Sequence, residues 1–313
     1  MCTLTLAWRA FEDAPVALAA NRDEALDRPA EPPAIRGGET DATDAIDADT
    51  AVATDADTAV ATDADTAVAT DADTDPAVAA GAPADAAEAG RYVAPRDAEA
   101  GGTWIGLTEG GLVVAVTNRW LDTDRDGDRS RGLLVRDCLQ ADSALDARRI
   151  VERETDARMY DGFNLVLADA RSAFLLAYDG ALTATRLDPG VHVVGNVGGV
   201  INGTERFAVP ERRREFGEER AESARSVADA LAPGSGESGG AWLDRAGEVL
   251  SDHEYGACLH GDGFGTVSFT RIRTGSDPAF AYADGPPCET EPAPVSLPAG
   301  FGTAAADGAE SQF

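Results

Sequence analysis

Short runs of alternating apolar and polar residues dominate the chain outside one long acidic segment. Thr3–Arg9 alternates, Phe11–Pro15 has the composition of a turn, and Val16–Ala20 resumes the alternation, which predicts a β-hairpin. The stretch GTWIGLTEGGLVVAVTN predicts a second hairpin that turns at Glu109–Gly111. Residues 163–196 predict a meander of four strands, and shorter strands are predicted at Ala257–His260, Thr266–Arg273 and Phe280–Tyr282.

Helical spacing of apolar residues marks four stretches that lie between these strands. They are Arg131–Gln140, Ser143–Tyr160, Ala221–Leu231 and Trp242–Ser251. Many antiparallel strands with helices inserted in pairs predict an α+β fold, in which two packed sheets are flanked by helices.

Residues 37–90 differ from the rest of the chain. The octapeptide DADTAVAT occurs three times from Asp47 and then decays, and the segment holds fourteen acidic residues but no basic or aromatic ones. A period of eight can indicate a solenoid, but each unit offers only alanines and one valine for burial. Such a composition cannot offset the entropy of ordering. We therefore predict one domain over residues 1–284, interrupted by a disordered insertion at 37–90, and a loosely ordered tail over 285–313.

The charge of the chain is strongly negative. It carries 56 acidic and 26 basic residues, all of the latter arginine, for a net charge of -30 and an isoelectric point near 4.2. This balance is typical of proteins in a high-salt cytoplasm, where carboxylates repel each other weakly, although it also suits any acidic, soluble surface. Without a basic stripe, neither nucleic acid nor an anionic membrane is expected as a partner.

The cysteines stand at positions 2, 138, 258 and 288. No C-x-x-C motif or paired histidine spacing links them, so we predict neither a metal site nor a disulfide framework, and no cofactor. Only Met1 precedes Cys2, and the longest apolar runs have the length of strands. We therefore expect a cytoplasmic protein without a leader or a membrane-inserted segment.

The first hairpin brings Cys2 close to a charged pair. A turn centred between Glu12 and Asp13 places Cys2 opposite Asp23 and one position from Arg22, and facing side chains lie about 5 Å apart.

This placement suits an N-terminal nucleophile. Removal of Met1 would give Cys2 a free α-amine with a pKa of about 8, a base beside its own thiol. Asp23 can hold that amine, and Arg22 can lower the thiol pKa or bind an anionic group. A purely structural interpretation also fits: a small residue that starts a strand, beside a surface ion pair.

Four blocks of sequence occur in a recognisable order: MCTLTLAW…LAANRDEALDRP, GGTWIGLTEGGLVVAVTN, YDGFNLVLAD and CLHGDGFGTVSFT. With them the chain resembles the NRDE family, whose eukaryotic members are called transport and Golgi organisation protein 2. That family is similar to N-terminal nucleophile hydrolases such as penicillin V acylase and bile-salt hydrolase. The resemblance implies a four-layer αββα sandwich.

The resemblance also implies roles for individual residues. Cys2 matches the nucleophile, Arg22 and Asp23 match its supporting pair, and Asn118 and Asn196 match two asparagines that bind the oxyanion. The hydrolases space their Arg and Asp apart, whereas here the two are adjacent. Both asparagines also suit turns at strand ends.

Four further residues are candidates for the lining of the site. Asn21 and Glu24 complete the signature, and Glu24 is expected to pair with a neighbouring arginine. Trp104 is expected either in the core or in a pocket wall. His260, at a predicted strand end, can line a pocket or act as an acid–base group.

Three functions follow from this sequence. The first is hydrolysis of a linear amide by Cys2 through a thioester. The second is a non-catalytic protein that binds or carries a small molecule, such as an acyl thioester, a lipid or haem. The third is a trafficking or scaffold role. A small-molecule ligand or substrate is expected in the first two.

Overall fold

The computed structural model of the protein describes residues 2–38, 90–123 and 127–303. Nearly all of the predicted insertion at 37–90 lies outside the described residues, as does the end of the predicted tail.

Fifteen strands occur in the described residues, and we number them in chain order. They are β1 (Cys2–Trp8), β2 (Val16–Ala25), β3 (Ala30–Arg36), β4 (Tyr92–Asp97), β5 (Ile105–Thr108), β6 (Val113–Asn118), β7 (Phe163–Ala168), β8 (Ala173–Tyr178), β9 (Leu182–Arg186), β10 (Gly190–Gly195), β11 (Gly198–Ile201), β12 (Thr204–Phe207), β13 (Phe264–Arg273), β14 (Ala279–Ala283) and β15 (Ala293–Pro294).

Four α-helices accompany these strands in the described part of the chain. They are α1 (Arg131–Cys138), α2 (Ala144–Ala157), α3 (Arg214–Ala230) and α4 (Gly239–Ser251). Serine side chains cap three of them: Ser130, Ser143 and Ser238 each accept a backbone N–H of the first turn. No helix in the described ranges combines the length and the apolar character needed to cross a membrane.

The strands form two sheets that pack face to face. One has eight strands in the order β12-β11-β10-β1-β2-β13-β14-β15, and the other has seven in the order β3-β4-β5-β6-β7-β8-β9. Their apolar faces share a core to which Leu6, Leu18 and Val166 belong. Helices α1 and α2 cover the outer face of the seven-stranded sheet, and α3 and α4 cover that of the other. The predicted α+β fold with four αββα layers is confirmed.

Two predicted strands differ from the observed ones. The fourth strand of the predicted meander, β10, leaves the seven-stranded sheet and pairs with β1 in the other sheet, because alternation along a strand does not specify its sheet. Residues 257–260 do not form a strand and make only an isolated bridge from His260 to Gly265. Gly256 with φ 64° starts this loop, a conformation that glycine tolerates.

The segment from Gly285 packs more closely than its composition indicated. Strand β15 pairs with β14, and the ring of Phe301 is fully buried in the core between the sheets. Leu297 packs against the same core. Two apolar side chains thus anchor a Pro- and Gly-rich segment that lacks regular periodicity.

Replacing Phe301 by Ala is expected to lower the free energy of unfolding by about 3–5 kcal/mol, because it removes a fully buried ring. Phe216→Ala is the matched control: its ring is 37% exposed and stacks on Trp120, so about 1 kcal/mol is expected. Denaturant titration of both variants measures the difference. If the two substitutions lowered the free energy of unfolding equally, residues 285–303 would not contribute to the core.

Candidate active site

The register of the first hairpin determines the position of Cys2. Strands β1 and β2 pair Cys2 with Arg22 and Trp8 with Val16, one position from the predicted register. The turn centres on Glu12, and the Arg9 N–H closes it by donating to the Pro15 carbonyl over 2.8 Å. Because directly paired residues share a face of the sheet, Cys2 and Arg22 lie side by side.

Cys2 opens onto a cavity of about 220 Å³ between the two sheets. Both sheets and helix α1 contribute to its wall, which includes Arg22, Asp23, Trp104, Asn118 and Arg131. The structure therefore brings Cys2 together with five of the residues predicted to accompany it: Arg22, Asp23, Glu24, Trp104 and Asn118.

The Cys2 backbone nitrogen is held by a side chain from the neighbouring strand end. It donates to Asn196 Oδ1 over 3.2 Å, and Asn196 Nδ2 donates to the Asn118 carbonyl over 2.6 Å. Asn196 is buried. Its carboxamide therefore orients the nitrogen that would become the α-amine, whereas the resemblance implied an oxyanion donor.

Asn118 ends β6 and faces the same cavity. Within the described residues its carboxamide makes no hydrogen bond to the protein, so this amide can donate to a ligand. The predicted oxyanion role of Asn118 stays a prediction.

Arg22 is held rigidly beside the cysteine. Its guanidinium lies over the Trp104 ring, 4.0 Å from the centroid, and forms ion pairs of 3.7 Å with Glu24 and with Asp97. Stacking and pairing fix the orientation of an arginine in a way that lysine cannot reproduce. Glu24 thus has the predicted pairing role, and Trp104 forms part of the cavity wall.

The pKa of the Cys2 thiol lies above its ordinary value, although the influences on it oppose one another. Burial raises the pKa of the Cys2 thiol, and the Asp23 carboxylate adds to that rise. The Asp23 backbone N–H and the Arg22 guanidinium act in the opposite direction.

Asp23 is itself buried, and burial raises its pKa to about 6. The Thr266 hydroxyl, which donates to Asp23 Oδ1 over 2.6 Å, lowers it in part. Strand β13 bulges between Thr266 and Ser268, opposite this carboxylate.

Two predicted residues lie away from the cysteine side chain. Asn21 Nδ2 donates to the carbonyls of Leu250 and Ala257, each over 2.9 Å, so its amide ties β2 to the end of α4 and the loop beyond. His260 is absent from the cavity wall and lies near Cys258, Cys288 and His253. Whereas the spacing of cysteines and histidines predicted no metal site, the fold brings these four side chains together.

Arg28, Asp97 and Arg131 line the cavity but were not predicted from the sequence. Asp97 Oδ2 accepts from Arg28 Nε over 2.8 Å, and Arg131 donates to the Gly162 carbonyl over 3.0 Å. Asp97 ends β4, which pairs with β3 across the acidic segment. Its approach to Arg22 therefore depends on a long-range contact that no local motif encodes.

Comparison with solved structures identifies the fold as that of N-terminal nucleophile hydrolases. Penicillin V acylase from Agrobacterium tumefaciens superposes with a TM-score of 0.50 and 14% identity, over 90% of this chain and 83% of the acylase. An N-acylethanolamine-hydrolyzing acid amidase ortholog from Caenorhabditis elegans gives 0.47 and 11%, over 87% and 92% of the two chains.

Sequence comparison finds that part of the chain is similar to one protein family. The profile of the Transport and Golgi organisation 2 family matches residues 80–222. A Mus musculus protein, Transport and Golgi organization 2 homolog, is 34% identical over 74 residues, which span 23% of this chain and 26% of the mouse protein. The predicted resemblance to this family is confirmed.

Asp23→Asn is expected to raise the free energy of unfolding by about 1–3 kcal/mol at neutral pH. Because its pKa is raised in the folded state, Asp23 opposes folding once it ionises. The gain should shrink as the pH falls through about 6 and vanish near pH 4, where the acid is protonated in both states. Denaturant titrations across this pH range measure it.

Asp97→Asn is the matched control. Burial alone would raise the pKa of Asp97, but the Arg28 hydrogen bond and backbone N–H groups lower it overall. This substitution should therefore destabilise the protein at neutral pH and have little effect in acid. If Asp23→Asn, like Asp97→Asn, lowered the free energy of unfolding at neutral pH and had little effect in acid, the interpretation of Asp23 would be wrong.

Proposed function

We propose that this chain is a cysteine amidohydrolase that cleaves a linear amide, a C–N bond other than a peptide bond, through a thioester on Cys2. One arrangement carries the proposal: Cys2 pairs with Arg22 at a cavity while Asn196 Oδ1 accepts from the Cys2 nitrogen over 3.2 Å. Removal of Met1 turns that nitrogen into an amine beside the thiol, which is the equipment of an N-terminal nucleophile.

In the proposed reaction, Cys2 Sγ attacks the carbonyl carbon of the substrate and its proton passes to the α-amine. The tetrahedral intermediate collapses as the C–N bond breaks, and the ammonium group delivers a proton to the leaving amine. Water then attacks the thioester, the α-amine takes a proton from it, and the released thiolate recovers a proton. The products are a carboxylic acid and an amine, so atoms and protons balance.

The neighbouring residues have separate proposed roles. Asn196 aims the amine lone pair, Asp23 stabilises the ammonium form, and Arg22 stabilises the thiolate. The Asn118 carboxamide is the proposed donor to the oxyanion because it faces the cavity from the opposite sheet.

The cavity favours a small polar substrate over an apolar cargo. Its wall is mostly polar and includes Arg22, Arg28 and Arg131, with Trp104 and Val116 as its large apolar contributors. Sites for lipids and other apolar ligands are lined mainly by apolar side chains and usually exceed about 300 Å³. We therefore place the carrier function second. The charge and the absence of lysine support a high-salt cytoplasm as the proposed location.

Intact mass spectrometry of the protein from its natural host tests the first requirement. The expected mass lacks Met1, since cysteine is small enough for the preceding methionine to be removed. Retention of Met1 would leave an amide nitrogen at Cys2 and overturn the enzyme proposal.

Iodoacetamide labelling followed by peptide mapping tests whether Cys2 is activated. Cys2 is expected to react near neutral pH, and Arg22→Gln is expected to slow the reaction a few-fold, because the Arg22 guanidinium lowers the pKa of the thiol. Arg186→Gln, on the exposed edge strand β9, is the control and should leave the rate unchanged.

An unreactive Cys2 in the processed protein would contradict an activated thiol. A ligand retained equally by the parent protein and by Cys2→Ala, with no amide cleavage by the parent, would instead establish the carrier function.

A further inference from the structure

A second cluster of reactive side chains lies at the surface beside β13. His253 comes from the turn after α4, Cys258 and His260 from the loop before β13, and Cys288 from the turn after β14. One donor atom from each residue lies within 4.8 Å of the other three. The proposed amidase chemistry uses none of these residues.

Three donor atoms of this cluster, from Cys258, His260 and Cys288, are separated by distances close to the edges of a metal tetrahedron, and the His253 donor lies within 4.8 Å of each of them. Cys258 Sγ lies 3.5 Å from Cys288 Sγ, and His260 Nε2 lies 3.7 Å and 3.1 Å from these two sulfurs. Zinc bonds of about 2.3 Å to sulfur and about 2.0 Å to nitrogen give edges of about 3.8 Å between sulfurs and about 3.5 Å between sulfur and nitrogen. The three distances among Cys258, His260 and Cys288 need shifts of about half an ångström or less to meet these values.

The chemistry of the four donors also fits zinc. Two thiolates and two neutral imidazoles neutralise a divalent cation, and borderline-soft Zn²⁺ favours such sulfur and nitrogen ligands. A disulfide would account for two converging thiols, which are free in this structure, but it would not account for two imidazoles at the same point. His253 and His260 have ring centroids 5.1 Å apart.

We propose that His253, Cys258, His260 and Cys288 form a structural zinc site. With four protein ligands the coordination is closed, which is typical of structural rather than catalytic zinc. The metal joins three segments that lie outside the α-helices and β-strands: the turn after α4, the loop before β13 and the turn after β14.

The proposed metal also supports the site at Cys2 through the intervening loop. Leu259, between two of the ligands, donates its N–H to Thr266 Oγ1 over 2.9 Å, and its carbonyl accepts the Thr266 N–H over 2.8 Å. The Thr266 hydroxyl in turn donates to Asp23. Zinc would thus fix the loop that positions Thr266, and therefore Asp23.

Zinc titration of the reduced full-length protein, followed by desalting and elemental analysis, tests the proposal. One zinc per chain is expected, and Co²⁺ in its place should give the charge-transfer band of cobalt–thiolate bonds and the visible bands of a tetrahedral site. This spectrum distinguishes the cluster from exposed carboxylates, which bind metal without sulfur.

Matched variants assign the ligands. A Cys258→Ala, Cys288→Ala double variant should lose the cobalt–thiolate band and the bound zinc, whereas a Cys2→Ala, Cys138→Ala double variant should keep both. Single His253→Ala and His260→Ala variants should keep a thiolate band but weaken zinc binding at least tenfold. Circular dichroism of each variant in the metal-free state reports whether it folds.

Three results would overturn the proposal: no stoichiometric zinc in the folded, reduced protein; a cobalt–thiolate band that survives in the Cys258, Cys288 variant; or a Cys258–Cys288 disulfide in protein isolated from its host without reductant. Each is independent of amide cleavage by Cys2, so failure of the zinc site and failure of the proposed function can be told apart.

Discussion

The pairing of β1 with β2 is the constraint on which the candidate site depends. This register places the second residue of the chain directly opposite Arg22. A shift of one residue would move one of the two side chains to the other face of the sheet. The buried positions of Leu4, Leu6 and Leu18 specify the register, because these side chains face the core between the sheets. The same apolar contacts that stabilise the hairpin therefore hold the cysteine at the cavity.

The packing of the two sheets positions the site residues that lie outside the first hairpin. Asn196 follows β10, the other neighbour of β1, and Asn118 ends β6 in the opposite sheet. Hydrogen bonds join these strand ends: Asn196 Nδ2 donates to the Asn118 carbonyl, and the Trp120 N–H donates to the Asn196 carbonyl over 2.9 Å. The Cys2 nitrogen is thus oriented by a carboxamide that both sheets hold in place, which is the preorganisation that the proposed reaction requires.

The parts of this structure that the sequence predicts are those with local causes. The first hairpin, the four helices and the neighbourhood of Cys2, Arg22 and Asp23 follow from alternation, helical spacing and a short turn. The exact register of the hairpin could not be predicted in this way, because a shift of half a residue in the turn centre moves the partner of Cys2 from Asp23 to Arg22. Asp97 and Arg131 reach the cavity through long-range packing, which no periodic pattern in the sequence indicates. The His253–Cys258–His260–Cys288 cluster was missed for the same reason, since its four members come from three separate turns.

In the proposed enzyme the Cys2 nitrogen is an amine whose orientation depends on Asn196. Nitrogen NMR of protein labelled with ¹⁵N-cysteine tests it most directly, because an amine nitrogen resonates far from the amide nitrogens of the other three cysteines. We expect one amine signal that titrates and whose pKa shifts in Asn196→Ala but not in Asn202→Ala, a half-buried residue in the turn after β11, remote from Cys2 in the sheet. An amide signal for Cys2 that does not titrate, or an amine whose pKa is unaffected by Asn196, would contradict the account.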